Sequence, residues 1–306
     1  MNVIHFDSKM SEQSRRERLY EGDIFVFSPT QSTNALSEFA RERATEAFGG
    51  ADPQTAQFNM PVEDYVNIIG PLKTNFYHDP HSHELLLDIV SSFGCNLNET
   101  YFDVPKLRMV THGGYLTSGM GYAHPPHRDT WYGSPSSQIN WWMPVYDLAS
   151  ENSLAFHSDY WSRPVKNNSR DFNYFDWNRE RKTVAQHVRN DTRLQPRPDE
   201  SVDMEAQTRI VCPAGGIILF SGSQLHSTVP NTAGVARFSV DFRTVHVGDL
   251  VERRGALNVD SFPPASNLRD FRRGSDLSRL SFELIAQYEA AGVAEGREED
   301  FVFQPG

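Results

Sequence analysis

His127 and Asp129 put an imidazole and a carboxylate two residues apart, inside the run Tyr122–Trp131. In an extended strand, residues two apart project from the same face, so both side chains can aim at one point. That pairing suits a divalent metal. A third ligand has to come from elsewhere in the chain, and His226, in the run Phe220–Asn231, is the best candidate. Two imidazoles and one carboxylate on one face of a metal leave the opposite positions open, the ligand arrangement of non-haem Fe(II) oxygenases. His124 is a rival ligand, but it has no carboxylate two positions on.

The elements needed to hold such a site follow from the texture of the chain. The first hundred residues read as largely helical, with a short strand over 22–27 and helices over 32–48, 61–76 and 82–93. Leu36, Ala40 and Ala44 recur at helical spacing, and Gly49-Gly50 stops that pattern. From about residue 103 the pattern changes to strand-like runs broken by Gly and Pro: 106–116, 122–130, 138–148 and 153–160. A polar stretch over 162–207, with one helix near 172–188, interrupts them. Strands resume at 208–211, 216–221 and 235–245, and a last helix is expected over 276–291. Helices, then antiparallel strands, then a helix predict an α+β fold with a mainly β core. Seven or eight strands predict a barrel or a double-sheet jelly roll, that is, a double-stranded β-helix. The N-terminal helices then pack on that core.

The run Val235–Val245 alternates, with Arg237, Ser239, Asp241 and Arg243 on one face and Phe238, Val240 and Phe242 on the other. A charged face on an interior strand needs anions, because an unpaired buried charge is costly. Similarly, Gln138, Asn140 and Trp142 share one face, with Ile139, Trp141 and Met143 opposite. The polar face should look inward beside the metal.

These features, in this order, resemble the Fe(II)/2-oxoglutarate dioxygenases, and most closely the phytanoyl-CoA dioxygenase family. The matching positions are His127 and Asp129; Gln138, Asn140 and Trp142; and Asn152, Ser153 and Leu154. They continue with Pro213 and Gly216 before a strand, then His226, Asn231, Arg237 and Ser239. The match covers roughly residues 105–247. It departs after Leu154, where Ala155-Phe156-His157 replaces the family's Pro-Gly-Ser-His turn, and at Gly215-Gly216, where the family has Gly-Asp. The resemblance implies a cupin-like jelly roll that binds Fe(II) through His127, Asp129 and His226. It implies 2-oxoglutarate and O2 as cosubstrates, with Arg237 and Ser239 holding the far carboxylate of 2-oxoglutarate. On the polar face of their strand, Asn140 and Gln138 either bond the cosubstrate, orient a ligand, or satisfy backbone groups of the barrel. Oxidation of a small-molecule metabolite at C–H, with release of succinate and CO2, is the implied reaction. A carboxylate at 129 argues against a halogenase, in which a small residue vacates that position.

Candidate substrate contacts are Tyr115, Trp131 at the pocket mouth, Trp142 and Arg243; Arg243 has Asp241 and Asp147 as alternative partners. The insert carries Arg163, Lys166, Arg170, Arg179, Arg181 and Lys182, which form either a solvated loop or a surface for an anionic group. The alternative reading is a cupin-type metal enzyme that does not use 2-oxoglutarate, an isomerase or a ring-cleaving dioxygenase. It has no need of Arg237 and Ser239.

A single catalytic domain over 1–306 is expected: support over 1–104, core over 105–247 and an extension over 248–306. A net charge of −11 excludes the basic footprint that nucleic acid requires, and also an anionic membrane surface. No stretch approaches a membrane span, and the N-terminus lacks an apolar core of signal-peptide length. Two cysteines without metal-type spacing read as buried thiols, and a cytoplasmic setting is expected. The sequence does not specify the oligomeric state.

Overall fold

A computed structural model describes residues 2–117, 121, 123–184 and 194–290, with backbone only at 181–184. The chain runs β1 (Ile4–Phe6), α1 (Glu12–Tyr20), β2 (Ile24–Phe27), α2 (Gln31–Ala47), α3 (Val62–His78) and α4 (Pro80–Ser92). The strands β3 (Thr100–Phe102), β4 (Lys106–Val110), β5 (Ile139–Pro144) and β6 (Leu154–Phe156) follow. After α5 (Tyr174–Val184) come β7 (Thr208–Ile210), β8 (Ile217–Ser221), β9 (His226–Thr228) and β10 (Arg237–His246). The chain then adds α6 (Val247–Glu252), β11 (Arg272–Arg273) and α7 (Phe282–Ala286).

Two sheets form the core. In the larger, β10 pairs with β5 and β4, β5 pairs with β8, and β2 and β1 extend the β8 edge. In the smaller the order is β7-β6-β9, and a single bridge between His127 and His226 adds the metal loop beside β9. From β4 through the His127 bridge, β5, β6, β7, β8, β9 and β10, the chain crosses back and forth between the sheets. This is the double-sheet jelly roll that the strand pattern predicts.

The alternation read in β5 and β10 sets what lies between and behind the sheets. Phe238, Val240 and Phe242 join Ile139, Trp141 and Met143 in one buried cluster with Leu36, Ala40 and Ala44 of α2 and Leu86 and Ile89 of α4. Each such large side chain contributes about 1.5–3 kcal/mol by leaving water. The helical layer is held at its ends by specific caps. Thr30 and Thr33 of α2 cap one another reciprocally, at 3.2 and 2.8 Å, and Asp79 caps α4 ahead of Pro80.

Several runs are shorter than the pattern predicts. The strand expected over 106–116 stops at Val110 and turns through Gly113, at φ 64°. The strand expected over 138–148 ends at Pro144, and that over 153–160 is β6 followed by a tight turn. The segment expected as a strand over 122–130 is not one. Tyr122 lies outside the described residues, Pro125 and Pro126 supply no ladder donors, and Asp129–Tyr132 forms a 3-10 turn. The last helix covers only Phe282–Ala286, and its expected end at 291 lies outside the described residues, as does the end of the insert helix beyond 184. The base of the insert is pinned by Asp199 N donating to Lys166 O at 2.7 Å and by a bridge between Asn167 and Pro198. Among the described residues no helix is long and apolar enough to cross a membrane.

Arg128 stands between the two expected ligands in sequence and turns away from them, 1% exposed. It donates to Ser223 O and Tyr160 O, both at 2.6 Å, to Arg163 O at 3.1 Å and to Asp260 at 3.1 Å. Asp260 also accepts from Trp131 Nε1 at 2.8 Å and Val165 N at 2.9 Å. This buried pair ties the metal loop, the insert and the C-terminal segment together. Replacing Arg128 by Met leaves Asp260 as an uncompensated buried charge, so urea unfolding should show a loss of about 3–5 kcal/mol. Burial pushes both thiols, Cys95 and Cys212, up to about 12. A chromogenic disulfide reagent should therefore find no reactive thiol in the native protein and both after denaturation.

Candidate metal and cosubstrate site

The two histidines are held as a backbone pair. His127 N donates to His226 O at 2.9 Å and His226 N to His127 O at 3.0 Å, which sets their rings 4.4 Å apart. Each ring also meets the carbonyl two residues upstream. His127 Nδ1 lies 2.8 Å from Pro125 O, and His226 Nδ1 lies 3.0 Å from Gln224 O. A carbonyl accepts only, so Nδ1 carries the proton in both rings. The Nε2 lone pairs are left for a cation. Both Nε2 atoms face Asp129 Oδ1, at 3.6 and 3.9 Å. The three ligand atoms lie within 4.8 Å of one another, with Asp129 and His226 buried.

Asp129 comes from the 3-10 turn rather than from a strand. The aim of its carboxylate is fixed by donors on the other oxygen. Gln138 Nε2 donates to Oδ2 at 3.1 Å and Asn140 Nδ2 at 2.9 Å, and Arg243 Nε lies 3.5 Å away. Burial by itself would raise this carboxyl. The adjacent His127 and the charge of Arg243 overcome that and hold it well below the usual carboxylate range. Burial, with His127 adding to it, pushes His226 down to about 3, so its ring is neutral and ready to ligate. Gln138 and Asn140 therefore sit on the Asp129 carboxylate, placed to orient it.

The triad opens on a cavity of about 350 Å³, a size suited to a small molecule. One wall is charged. Arg243 pairs with Asp103 at 3.2 Å and Asp241 at 3.4 Å, besides Asp129. These carboxylates raise its pKa despite burial. Asp147, the other partner considered, instead accepts from Ala214 N at 2.8 Å. Arg108 pairs with Asp241, and Lys106 with Asp103. Arg237 differs from all of these. It is 4% exposed, donates only to Asn152 O at 3.2 Å and Ser153 O at 3.4 Å, and stacks 5.3 Å over the Trp142 ring. Its Nε has no partner, and among the described residues no carboxylate lies within ion-pair distance of it. Burial, followed by the nearby charge of Arg108, pushes it down to about 10. Ser239 Oγ, two residues on, is likewise buried without a partner.

Two of the expected substrate contacts fall elsewhere. Trp131 is fully buried with Tyr160, Val165 and Leu225, its indole on Asp260, because the 3-10 turn points it away from the cavity. Tyr115 packs edge-on to Tyr65 and donates to Met60 O at 2.9 Å, behind β4. Trp142 and Arg243 do line the cavity. His124 lines it too, beside His127, but stays outside the three-atom cluster. Two other His-x-Asp tripeptides, His5-Phe6-Asp7 and His157-Ser158-Asp159, do not join the site: His5 Nε2 meets Asp23 at 2.8 Å and His157 Nε2 meets Ser227 Oγ at 3.0 Å. Sequence reasoning missed Asp103, Arg108 and Asn267. Lys106 and Arg108 at alternate positions of a strand were a usable signal for the first two; Asn267, in an irregular segment, offered none.

No family model matches the sequence, and no curated protein does. Among solved structures, EvdO2 from Micromonospora carbonacea var. aurantiaca, which has also been determined with 2-oxoglutarate, is 14% identical at a TM-score of 0.45, over 80% of this chain and 94% of that one. The non-heme alpha ketoglutarate dependent epimerase SnoN from nogalamycin biosynthesis is 10% identical at 0.38, over 77% and 84%. The non-heme monooxygenase ThoJ is 14% identical at 0.40, over 76% of each chain. Likeness at this level does not extend to chemistry, which rests on the residues themselves.

Removing any one ligand should abolish tight metal binding without unfolding the chain. His127→Ala, Asp129→Ala and His226→Ala are each expected to raise the Co(II) dissociation constant at least about 100-fold in calorimetric titrations. Wild-type affinity in any of the three would place the metal elsewhere.

Proposed function

We propose that this chain is a non-haem Fe(II)- and 2-oxoglutarate-dependent dioxygenase of the phytanoyl-CoA dioxygenase type. It hydroxylates a small-molecule metabolite, with O2 as the second cosubstrate and succinate and CO2 as coproducts. The observation that carries the reading is the pairing of two features in one cavity. One is a buried His-Asp-His cluster with two neutral Nε2 donors. The other is Arg237, a buried guanidinium with no carboxylate of its own.

The donor set fits Fe(II), which two imidazoles and one carboxylate hold with positions left open. Arg237 fits a carboxylate brought from outside, since a guanidinium binds one through a two-pronged fork and a buried one needs an anion. Ser239 Oγ is close in sequence and equally short of a partner. The alternative, a cupin-type enzyme without 2-oxoglutarate, leaves Arg237 buried for no purpose. When bound, iron would bring together O2, the oxidant, and 2-oxoglutarate, which supplies two of the four electrons that O2 takes up, chemistry that no side chain offers.

The protein's residues do the rest. His127, Asp129 and His226 hold the ion. Gln138, Asn140 and Arg243 fix the direction of the carboxylate. Arg237 anchors the dicarboxylate at a set distance from the triad. The cavity is also lined by Tyr174 and Asn178 of α5, Ser134 and Asn267, with Asp270 accepting from Tyr174 Oη. Their hydroxyl and amide groups suit a substrate that carries hydrogen-bonding groups. The net charge of −11 speaks against nucleic acid as partner.

Anaerobic addition of Fe(II) and 2-oxoglutarate should give a weak visible charge-transfer band in the wild type. In Arg237→Ala, half-saturation with 2-oxoglutarate should rise about 30-fold or more, since one partner of a buried charge pair is lost. Absence of the band in wild type, or unchanged succinate production in Arg237→Ala, would contradict the proposal.

A further inference from the structure

The C-terminal segment lies outside the stretch that resembles a known family, yet it is built into the metal site. Asn267 N donates to Gly133 O at 3.1 Å, which seats the segment on the turn that carries Asp129. Gly133 has φ 88°, and a Cβ there would meet Ala265 O at 2.4 Å, so only glycine admits this contact. Asn267 is 8% exposed and sends Nδ2 to Ser134 Oγ and to Gln138 Oε1, both at 3.0 Å.

The orientation of both amides follows from Asp129. An ionised carboxylate accepts only, so Gln138 must present Nε2 to Asp129 Oδ2 and therefore Oε1 to Asn267. Asn267 must then present Nδ2. A one-way relay results: Asn267 donates to Gln138, and Gln138 donates to Asp129. It holds Oδ2 on the side away from the histidines, and Oδ1 is the oxygen that faces them.

We propose that Asn267 is a positioning residue for the metal centre, acting through Gln138 to keep Asp129 a ligand through Oδ1 alone. The inference rests on the metal-centre reading above. With the relay broken, Gln138 can rotate, Oδ2 keeps only Asn140 and Arg243, and the carboxylate is held less firmly to Oδ1 ligation. Asn267 thereby couples the C-terminal segment, which walls the cavity, to the ion beneath it.

The test is Co(II) titration followed by its visible d–d absorption, on the full chain. The variants are Gln138→Leu, Asn267→Leu, the isosteric Asn267→Asp, and the double variant Gln138→Leu/Asn267→Leu. Metal-free thermal melts are run alongside. Gln138→Leu should weaken Co(II) binding about 10- to 100-fold. Both Asn267 variants should weaken it in the same direction and shift the d–d bands. The relay makes Gln138 the route by which the Asn267 side chain acts on the metal centre, so the double variant should match Gln138→Leu within about twofold. Wild-type affinity and spectrum in both Asn267 variants, or multiplicative losses in the double variant, overturn the proposal. If wild type binds Co(II) and His127→Ala does not, that failure belongs to the relay alone. If wild type does not bind Co(II), the metal-centre reading fails and the relay with it.

Discussion

An ionised carboxylate in a protein interior survives only if donors surround it, because its desolvation costs several kcal/mol before any are counted. Asp129 meets that demand on Oδ2, from the amides of Gln138 and Asn140 at the start of β5 and a guanidinium on β10, while Oδ1 is left facing the two histidines. Each partner belongs to a different part of the jelly roll. The register of β5 against β10, with Asn140 opposite Arg243, brings two of these donors to one carboxylate. The histidine bridge sets the two rings before the other oxygen. Much of the core can be understood as the frame that keeps this one group charged and correctly aimed.

The same demand explains how the cavity's cations differ. Arg243, Arg108 and Lys106 are neutralised by Asp103, Asp241 and Asp129 and serve as fixed structure. Arg237 lies on the same face of β10, and among the described residues it meets backbone carbonyls and the Trp142 ring and has no ion pair, with Asp241 acting on it only from a distance. A buried cation in that condition weakens the fold unless an anion arrives. A ligand that brings a carboxylate would relieve that cost and stabilise the fold on binding.

The sequence made the strand periodicity legible, because it depends on local spacing, and it singled out the three side chains that the fold clusters. The charged face of β10 and the polar face of β5 were readable for the same reason. The reason given for pairing His127 with Asp129 was wrong in detail. Two prolines prevent a strand, and the pair is set by a bridge and a 3-10 turn. That turn also reverses Trp131, so closeness to the motif in sequence did not mean closeness to the cavity. The roles of Asn267 and Asp260 depend on contacts made across more than 120 residues, with no periodic pattern to announce them.

The most direct measurement is an anaerobic crystal structure with Fe(II) and 2-oxoglutarate bound. The account predicts one ion held by His127 Nε2, Asp129 Oδ1 and His226 Nε2, with the far carboxylate of 2-oxoglutarate against the Arg237 guanidinium. An ion bound elsewhere, or a dicarboxylate that leaves Arg237 without an anion, would contradict it.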